Sequence, residues 1–519
     1  MSYPYLHIGR ASDLEGRDRR IYRFFEILPG ALAWLTIGLV VFFSWLKPTW
    51  IAFFIIAFDF YWIIKTAFLS AHLRVNWKKM RRNLELDWRE RLENLKWEHI
   101  WQMAILPFYK EDYEVVKSTI EALAAADYPK DKMIIVLGAE ERAGDAAWAV
   151  AERIKKEYGE KFGYFFIAKH PKDLPGEMPG KGSNIAWAAK EAKKEILDKN
   201  SISYADVLVS SFDIDTRIYP QYFLCLTYHF LTCEHPFRSS FQPVPLYNNN
   251  IWEAPALSRV VGTRGTFWQM MQQERPERLV SFSSHSMSFK TLDEIGYWQR
   301  NMVSEDSRIF WNAFMHFNGD YRVVPLSYPV SMDANLAPKL GQTAKNVYKQ
   351  QRRWCWGVEN IAYMLFGFHN KKKEIPLRKR LHFNFVQLEG FWSLSTNALM
   401  IFALGWLPLW IGGQAFNDTL LSYNLPRITR TLMTIAMLGL IVSAIISTTL
   451  LPPKPPQYKK KKYVSMIIQW LLIPFTIIVF SSIPGLETQT RLMLGKYMGF
   501  WVTPKWRDPE AQKGGRGKL

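Results

Sequence analysis

Residues 27–46 are twenty in a row without a charge, the length a helix needs to cross the hydrocarbon core of a bilayer. Lys47-Pro48-Thr49 makes a short turn, and a second apolar run follows at residues 50–64. That run contains Asp59, which is costly in lipid and so faces protein, a water-filled path or the outer surface. Apolar stretches return at residues 390–413 and 432–451, and again at 463–486, where Pro474 interrupts the pattern. The N-terminal 23 residues are polar and Arg-rich, and no small-residue cleavage site follows the first apolar run, so no signal peptide is expected. Any fold must therefore accommodate membrane helices on both sides of a polar block, residues 100–335.

Charge orients that block. The chain carries 66 Lys and Arg against 47 Asp and Glu, a formal net charge of +19. The excess collects beside the apolar runs. Arg17, Arg19, Arg20 and Arg23 precede the first, and residues 74–82 follow the second; residues 371–380 precede the third, and 459–462 follow the fourth. The positive-inside rule makes all of these flanks cytoplasmic, and the central block with them. Positive charge spent on membrane flanks argues against a nucleic-acid partner. The 22 Trp, 23 Tyr and 34 Phe suit membrane interfaces or a carbohydrate platform. Cys225, Cys233 and Cys355 show no metal-ligand or disulfide spacing, which fits a reducing compartment.

These features divide the chain at 1–73 (N-terminal segment and two spans), 74–99, 100–340, 341–383, 384–486 (C-terminal membrane region) and 487–519. Residues 74–99 are basic and amphipathic, with Trp77, Trp88 and Trp97 among Arg and Lys, and read as a helix lying on the inner leaflet. Residues 463–486 read as re-entrant or interfacial, bent at Pro474, because both flanks are polar enough to be cytosolic. Within 100–340, short apolar runs at 103–106, 133–137, 164–167 and 207–209 alternate with helix-like stretches. That alternation predicts an α/β domain with a mostly parallel sheet, whose ligands bind beyond the carboxyl ends of the strands.

Chemistry concentrates after the fourth run. Asp213 and Asp215, in Ser211-Phe212-Asp213-Ile214-Asp215, can turn together toward Mg2+ or Mn2+ and leave ligand positions for diphosphate oxygens. Other short motifs precede and follow this pair. Pro107-Phe108-Tyr109-Lys110-Glu111, Gly180-Lys181-Gly182-Ser183-Asn184 and Ser304-Glu305-Asp306 lie in that order around it. Gln350-Gln351-Arg352-Arg353-Trp354 and Phe500-Trp501-Val502-Thr503-Pro504-Lys505 come later. Arg353 offers a planar donor fork to a diphosphate, and Trp354 a flat face on which a sugar can stack.

The ordered set resembles the family 2 glycosyltransferases: an opening P-x-Y-x-E, a K-G/A-x-x-N segment, D-x-D, T-E-D and Q-x-x-R-W. The last of these, with F-x-V-T-x-K, is similar to the cellulose and hyaluronan synthase group. The resemblance implies a GT-A-type nucleotide-sugar-binding domain inserted between transmembrane helices of the plasma membrane. It implies inverting transfer from a nucleotide-sugar, such as a UDP-sugar, to a polysaccharide, with Asp306 as general base and Glu305 beside it. Pro107, Tyr109, Glu111, Lys181, Asn184, Asp213, Gln350, Arg353, Thr503 and Lys505 are then expected at the donor, Asp215 and Asp213 at the metal, and Trp354 at the acceptor. Relatives carry Asp where this chain reads Glu140-Glu141, so Glu140 is expected at the nucleobase. Where they carry a Gly-rich strand, this chain reads Ser283-Ser284-His285-Ser286, and His285 is expected at donor or acceptor. Two alternatives remain open: transfer of a single sugar to a membrane lipid, and a non-catalytic scaffold or transporter with a degenerate domain.

Overall fold

A computed structural model describes residues 4–459 and 461–507, so the end of the expected tail, 508–519, lies outside the described residues. Two long helices open the chain, α1 (Gly16–Leu46) and α2 (Pro48–Glu85), followed by the short α3 (Trp88–Leu92). Pro48 starts α2 at a position where its missing N–H costs nothing.

Residues 74–99, expected as one interfacial helix, are divided between the end of α2 and α3. Residues 74–85 continue α2, and their inward face packs on protein. Asn83 donates to the carbonyls of Leu326 and Ser327, Met80 is buried, and Trp88 and Trp97 belong to the domain core. A basic amphipathic pattern suits a helix docked on a protein as well as one docked on lipid.

Eight strands form one sheet: β1 (Trp101–Phe108), β2 (Met133–Glu140), β3 (Tyr164–His170), β4 (Val207–Ser211), β5 (Arg217–Ile218), β6 (Ser239–Leu246), β7 (Ser286–Ser288) and β8 (Arg322–Ser331). Their order is β3-β2-β1-β4-β7-β6-β8-β5. The first four strands are parallel, as the alternation predicts. In the other half only β6 and β8 pair in parallel, so the sheet is mixed rather than mostly parallel. β7 runs antiparallel to both β4 and β6, and β5 antiparallel to β8. The reversal falls on a three-residue strand of Ser, Met and Ser that carries no apolar run to announce it.

Side chains of the buried strands alternate between two cores, as a two-residue period requires. Met103 and Ile105 face one core with α6 (Lys181–Ala192); Ala104 and Leu106 face the other with α4 (Tyr113–Ala124), α5 (Asp145–Tyr158) and α7 (Tyr222–Thr232). Each fully buried Ile or Leu here contributes about 1.5–3 kcal/mol. Next come α8 (Ala256–Gln273), α9 (Phe289–Glu294), α10 (Glu305–His316), α11 (Leu340–Cys355) and α12 (Glu359–Asn370). The C-terminal part holds α13 (Leu377–Phe402), α14 (Leu407–Ile411), α15 (Gln414–Asn417), α16 (Leu420–Thr449), α17 (Lys461–Ile468), α18 (Ile473–Ile477) and α19 (Ile483–Met493).

Among the described residues, α1, α2 and the helical run Lys461–Met493 are long and apolar enough to cross a membrane. Leu377–Phe402 with Leu404–Ile411, bent by 47°, makes a fourth if it is one span. The expected 432–451 segment lies in α16, where side chains at 436–438, 440 and 441 are outside the described residues. Large apolar side chains stand exposed along these helices, including Trp45, Trp50, Ile64, Trp410 and Leu471. Surfaces of this kind suit lipid.

The expected fold-back at Pro474 is not formed. Residues 461–493 continue as one helical run, with Pro474 in the first turn of α18, where proline is tolerated. The run lies against the α/β domain: Trp470 stacks on Phe267 of α8 at 5.6 Å, and Glu487 accepts from Tyr348 and Arg352 of α11.

Candidate functional site

The two acidic residues after β4 are delivered to the carboxyl ends of the parallel strands by backbone bonds. Phe212 N–H donates to the Ile105 carbonyl of β1 (3.1 Å), and Ser211 N–H to the His285 carbonyl just before β7 (3.0 Å). Thr119 of α4 ties the loop down through its hydroxyl to the Ile214 carbonyl, 2.7 Å.

Lys181, first residue of α6, reaches across the strand ends. Its ammonium donates to Asp213 Oδ1 at 2.7 Å and to Asp306 Oδ1 and Oδ2 at 2.9 and 3.0 Å. Two carboxylates far apart in sequence, Asp213 and Asp306, thus share one cation. The next turn of α6 is fixed by Asn184, whose Nδ2 donates to the Gly138 carbonyl (2.7 Å). A Cβ on Gly138 would sit 2.1 Å from the Asn184 oxygen, so only glycine allows this approach of α6 to β2.

From the opposite side comes the C-terminal segment. Lys505 Nζ donates to Asp215 Oδ2 at 2.6 Å, and Arg507 grips Asp333 through Nε and Nη2 at 3.1 and 2.9 Å. Asp333 N–H donates in turn to Asp215 Oδ2, 3.0 Å, and Asn249 bonds the Asp333 carboxylate and the Asp215 carbonyl. Phe500 of the same segment lies under the Arg353 guanidinium, 4.9 Å from ring centroid to cation. Trp354, the neighbour of Arg353 on α11, packs against Tyr247 and Phe282 at centroid distances of 5.7 and 6.2 Å.

These contacts set the protonation states. Burial works against the Asp213 carboxylate, but Lys181, Lys505 and Arg353 hold its pKa well below the usual carboxylate range. Lys181 is likewise buried, yet Asp213, Asp306 and Glu305 keep it firmly charged. Burial raises Asp215; Asp333 and Asp213 add to the rise, and Lys505 opposes it. Glu305, buried at the start of α10, is pushed up to about 8 by burial and then by the Asp306 charge. Asp215 Oδ1 is buried with no hydrogen-bond partner among the described residues. An orphaned carboxylate oxygen close to a second acid suits a divalent cation. Among the described residues no group of three His, Cys, Asp or Glu could hold a metal ion.

Most of the expected site residues converge here, including Lys181, Asp213, Asp215, Asp306, Glu305, Arg353 and Lys505. Glu111 accepts the Tyr109 N–H at 2.8 Å; burial raises its pKa, and Lys505 and Asp215 also act on it. Pro107 pairs with Gly138 across β1 and β2. Glu140, at the end of β2, is closed by an ion pair with Arg142, which lies 4.6 Å over the Tyr109 ring. Gln350 is buried on α11, and the buried Thr503 hydroxyl has no partner among the described residues.

His285 lies in the wall of the site, inside the core. Its ring is fully buried, Nδ1–H donates to the Phe282 carbonyl (2.9 Å), and Nε2 accepts from Trp298 (3.1 Å). Both nitrogens are thus bonded inside the core, with Nδ1 3.9 Å from Asp306 Oδ1. Ser283, which donates to Asp213 Oδ2 at 2.9 Å, takes the position closer to the acids. Sequence reasoning passed over Asp333, Arg507 and Arg142. Asp333 had a usable signal, since it follows the end of a strand on the same edge as Asp215.

The model of the family described as Glycosyl transferase family group 2 matches residues 208–479, more than half of the chain. A search of curated proteins returns no match. Among solved structures, the chain is similar to the mannosyltransferase PcManGT from Pyrobaculum calidifontis in complex with GDP-Man and Mn2+. That match has 14% identity and a TM-score of 0.38, and covers 76% of this chain and 99% of that one. It is also similar to S. aureus TarS 1-349 in complex with UDP-GlcNAc, at 15% identity and a TM-score of 0.34, covering 67% of this chain and 91% of that one. With its matched region starting in the strand that delivers Asp213 and Asp215 and running through the Arg353 helix, the chain belongs to glycosyl transferase family group 2.

Proposed function

We propose that this chain transfers a sugar from a nucleoside-diphosphate sugar, a UDP-sugar in the first instance, to the end of a growing polysaccharide at the membrane. The observation that carries the reading is the Lys181 ammonium, bonded to both Asp213 and Asp306. It joins a D-x-D pair suited to diphosphate and metal to a carboxylate suited to proton abstraction. Asp306 takes the proton of the acceptor hydroxyl as it attacks the anomeric carbon from the face opposite the leaving group, so configuration inverts. Lys181, Lys505 and Arg353 are the cations available to charge building on the departing diphosphate. Asp213 and Asp215 would hold Mg2+ or Mn2+, which supplies Lewis-acid stabilisation of that leaving group. Trp354, half-buried against Tyr247 and Phe282, holds the acceptor sugar in line.

In this reading the chain is a multi-pass plasma-membrane protein; the basic flanks of the apolar helices support a cytosolic catalytic domain. In this reading residues 461–493 lie along the interface. Met466 packs with Ile251 and Trp252 of the catalytic domain at one end, and Arg23, before the first span, donates to the Leu492 carbonyl at the other.

The test is nucleoside diphosphate release by the purified protein in lipid nanodiscs, against UDP- and GDP-sugars with Mg2+ or Mn2+, with the product sized in parallel. A long, glycosidase-sensitive product supports the synthase. A single-sugar lipid product replaces it with glycolipid transfer, and no turnover with any donor refutes catalysis by this chain.

A further inference from the structure

The base helix α10 is held by two residues that no motif marks. Glu359 and Asn360 open α12, one turn beyond Trp354, and both are buried. Glu359 Oε1 accepts from the Ser304 hydroxyl (2.7 Å), the Ser304 N–H (3.0 Å) and the Val303 N–H (3.3 Å). Its Oε2 accepts from Trp356 Nε1, 2.9 Å. Asn360 donates to the Ser307 and Ser304 hydroxyls at 2.8 and 3.1 Å and accepts from Arg308 Nε at 2.6 Å.

The residues on either side of Glu305 and Asp306, namely 303, 304, 307 and 308, are therefore all tied to α12. Ser304 makes no side-chain cap of its own helix, and the Glu359 carboxylate takes its N–H instead. A negative group at a helix N-terminus is favoured by the dipole; burial raises the Glu359 pKa, and Arg308 opposes that rise. Burying a carboxylate is costly, and an apolar side chain of similar volume commonly stabilises as well or better. What an apolar side chain cannot do is fix the direction of several N–H and O–H donors at once.

We propose that Glu359 is a positioning residue: one carboxylate locks the first turn of α10, and so the Asp306 carboxylate, to the Trp354–Trp356 turn that presents the acceptor. The inference rests on the reading of Asp306 as base. Loss of Glu359 then costs turnover, because base and acceptor no longer keep register, while the donor site at Lys181, Asp213 and Arg353 stays intact.

Steady-state kinetics of the full chain in nanodiscs test this, together with calorimetric binding of the nucleoside diphosphate alone. E359A removes every acceptor; E359Q keeps one oxygen for Ser304 but turns an amide donor on Trp356; S304A removes only the hydroxyl. The expected result is a graded fall in kcat, about 10- to 100-fold for E359A and less for E359Q and S304A, with donor KM and diphosphate Kd within about threefold. Should E359A fail to fold, E359Q and S304A decide by the same comparison. Unchanged kcat in the folded variants overturns the proposal, as does a parallel loss of kcat and diphosphate affinity, which marks a merely structural residue. A wild type that turns over no donor overturns the parent reading and this inference with it. An active wild type with indifferent variants overturns this inference alone.

Discussion

Replacing Lys181 by Met keeps much of the side chain's length and removes the one cation that touches both Asp213 and Asp306. At an effective dielectric of about 20, a unit charge at these distances is attracted by roughly 6 kcal/mol per carboxylate. Desolvation of the three groups takes back much of that, and removing one partner of a buried pair costs about 3–5 kcal/mol in practice. For a domain of this size the loss lowers Tm by at least ~6 °C at pH 7.5. Acid relieves the damage. In the wild type the Asp213 pKa lies below its usual value, so its contribution is present above the unfolded pKa and lost as pH falls through the folded one. In K181M, burial without the ammonium raises the same carboxyl, which takes up a proton as pH falls. The gap in Tm between wild type and K181M should therefore narrow from pH 7.5 to pH 5, and D213N in the K181M background should recover part of it. Differential scanning fluorimetry in nanodiscs reads both effects. A gap below 2 °C at pH 7.5, or one of equal size at pH 5, refutes the electrostatic account of Lys181.

Three further outcomes are expected. D306N loses about 10²- to 10⁴-fold in kcat while nucleoside diphosphate Kd stays within threefold; parallel loss of both would mark Asp306 as structural. G180A places a Cβ 2.7 Å from the Phe500 ring. Phe500 must move with the segment that carries Lys505, so kcat/KM falls roughly tenfold with little change in Tm, and an unchanged kcat/KM would show that this contact is unimportant. Glu305, raised to about 8, contributes stability that is full below its unfolded pKa and lost as pH rises through the folded value. The Tm advantage of E305Q over wild type should therefore grow between pH 5 and pH 8.5, and a flat difference would mean that Glu305 is not protonated at neutral pH.

The parallel half of the sheet was legible because strands buried on both faces read as plain apolar runs, as in Met103–Leu106 and Met133–Leu137. Lys181, Asp213 and Asp306 were legible because each sits in a short motif at a strand end or helix start. Other features leave no local trace. The three-residue β7 carries too little apolar content to reveal its direction, so the apolar runs alone predict a mostly parallel sheet. Arg507 meets Asp333 across 174 positions, and no spacing rule links an arginine after the last helix to an acid after β8. For His285 no local pattern indicates that Phe282 and Trp298 occupy both ring nitrogens.

Charge balance explains why a site at strand ends depends on parts of the chain so far away. Asp213, Asp215 and Asp333 come from the sheet edge, with Glu305 and Asp306 facing them from α10. Acids packed this closely cannot all remain ionised in a buried setting without compensation. Within the α/β domain only Lys181 supplies a contact cation to them; Lys505 and Arg507 arrive from beyond α19, and Arg353 acts from α11. Three of the four cations are thus carried by segments that pack on, or emerge from, the apolar helices, while the acids belong to the sheet and α10. With the C-terminal segment seated, Lys505 and Arg507 favour the charged forms of Asp215 and Asp333. For this reason the C-terminal segment and the α/β domain form one electrostatic unit, which cutting the chain after Met493 would break.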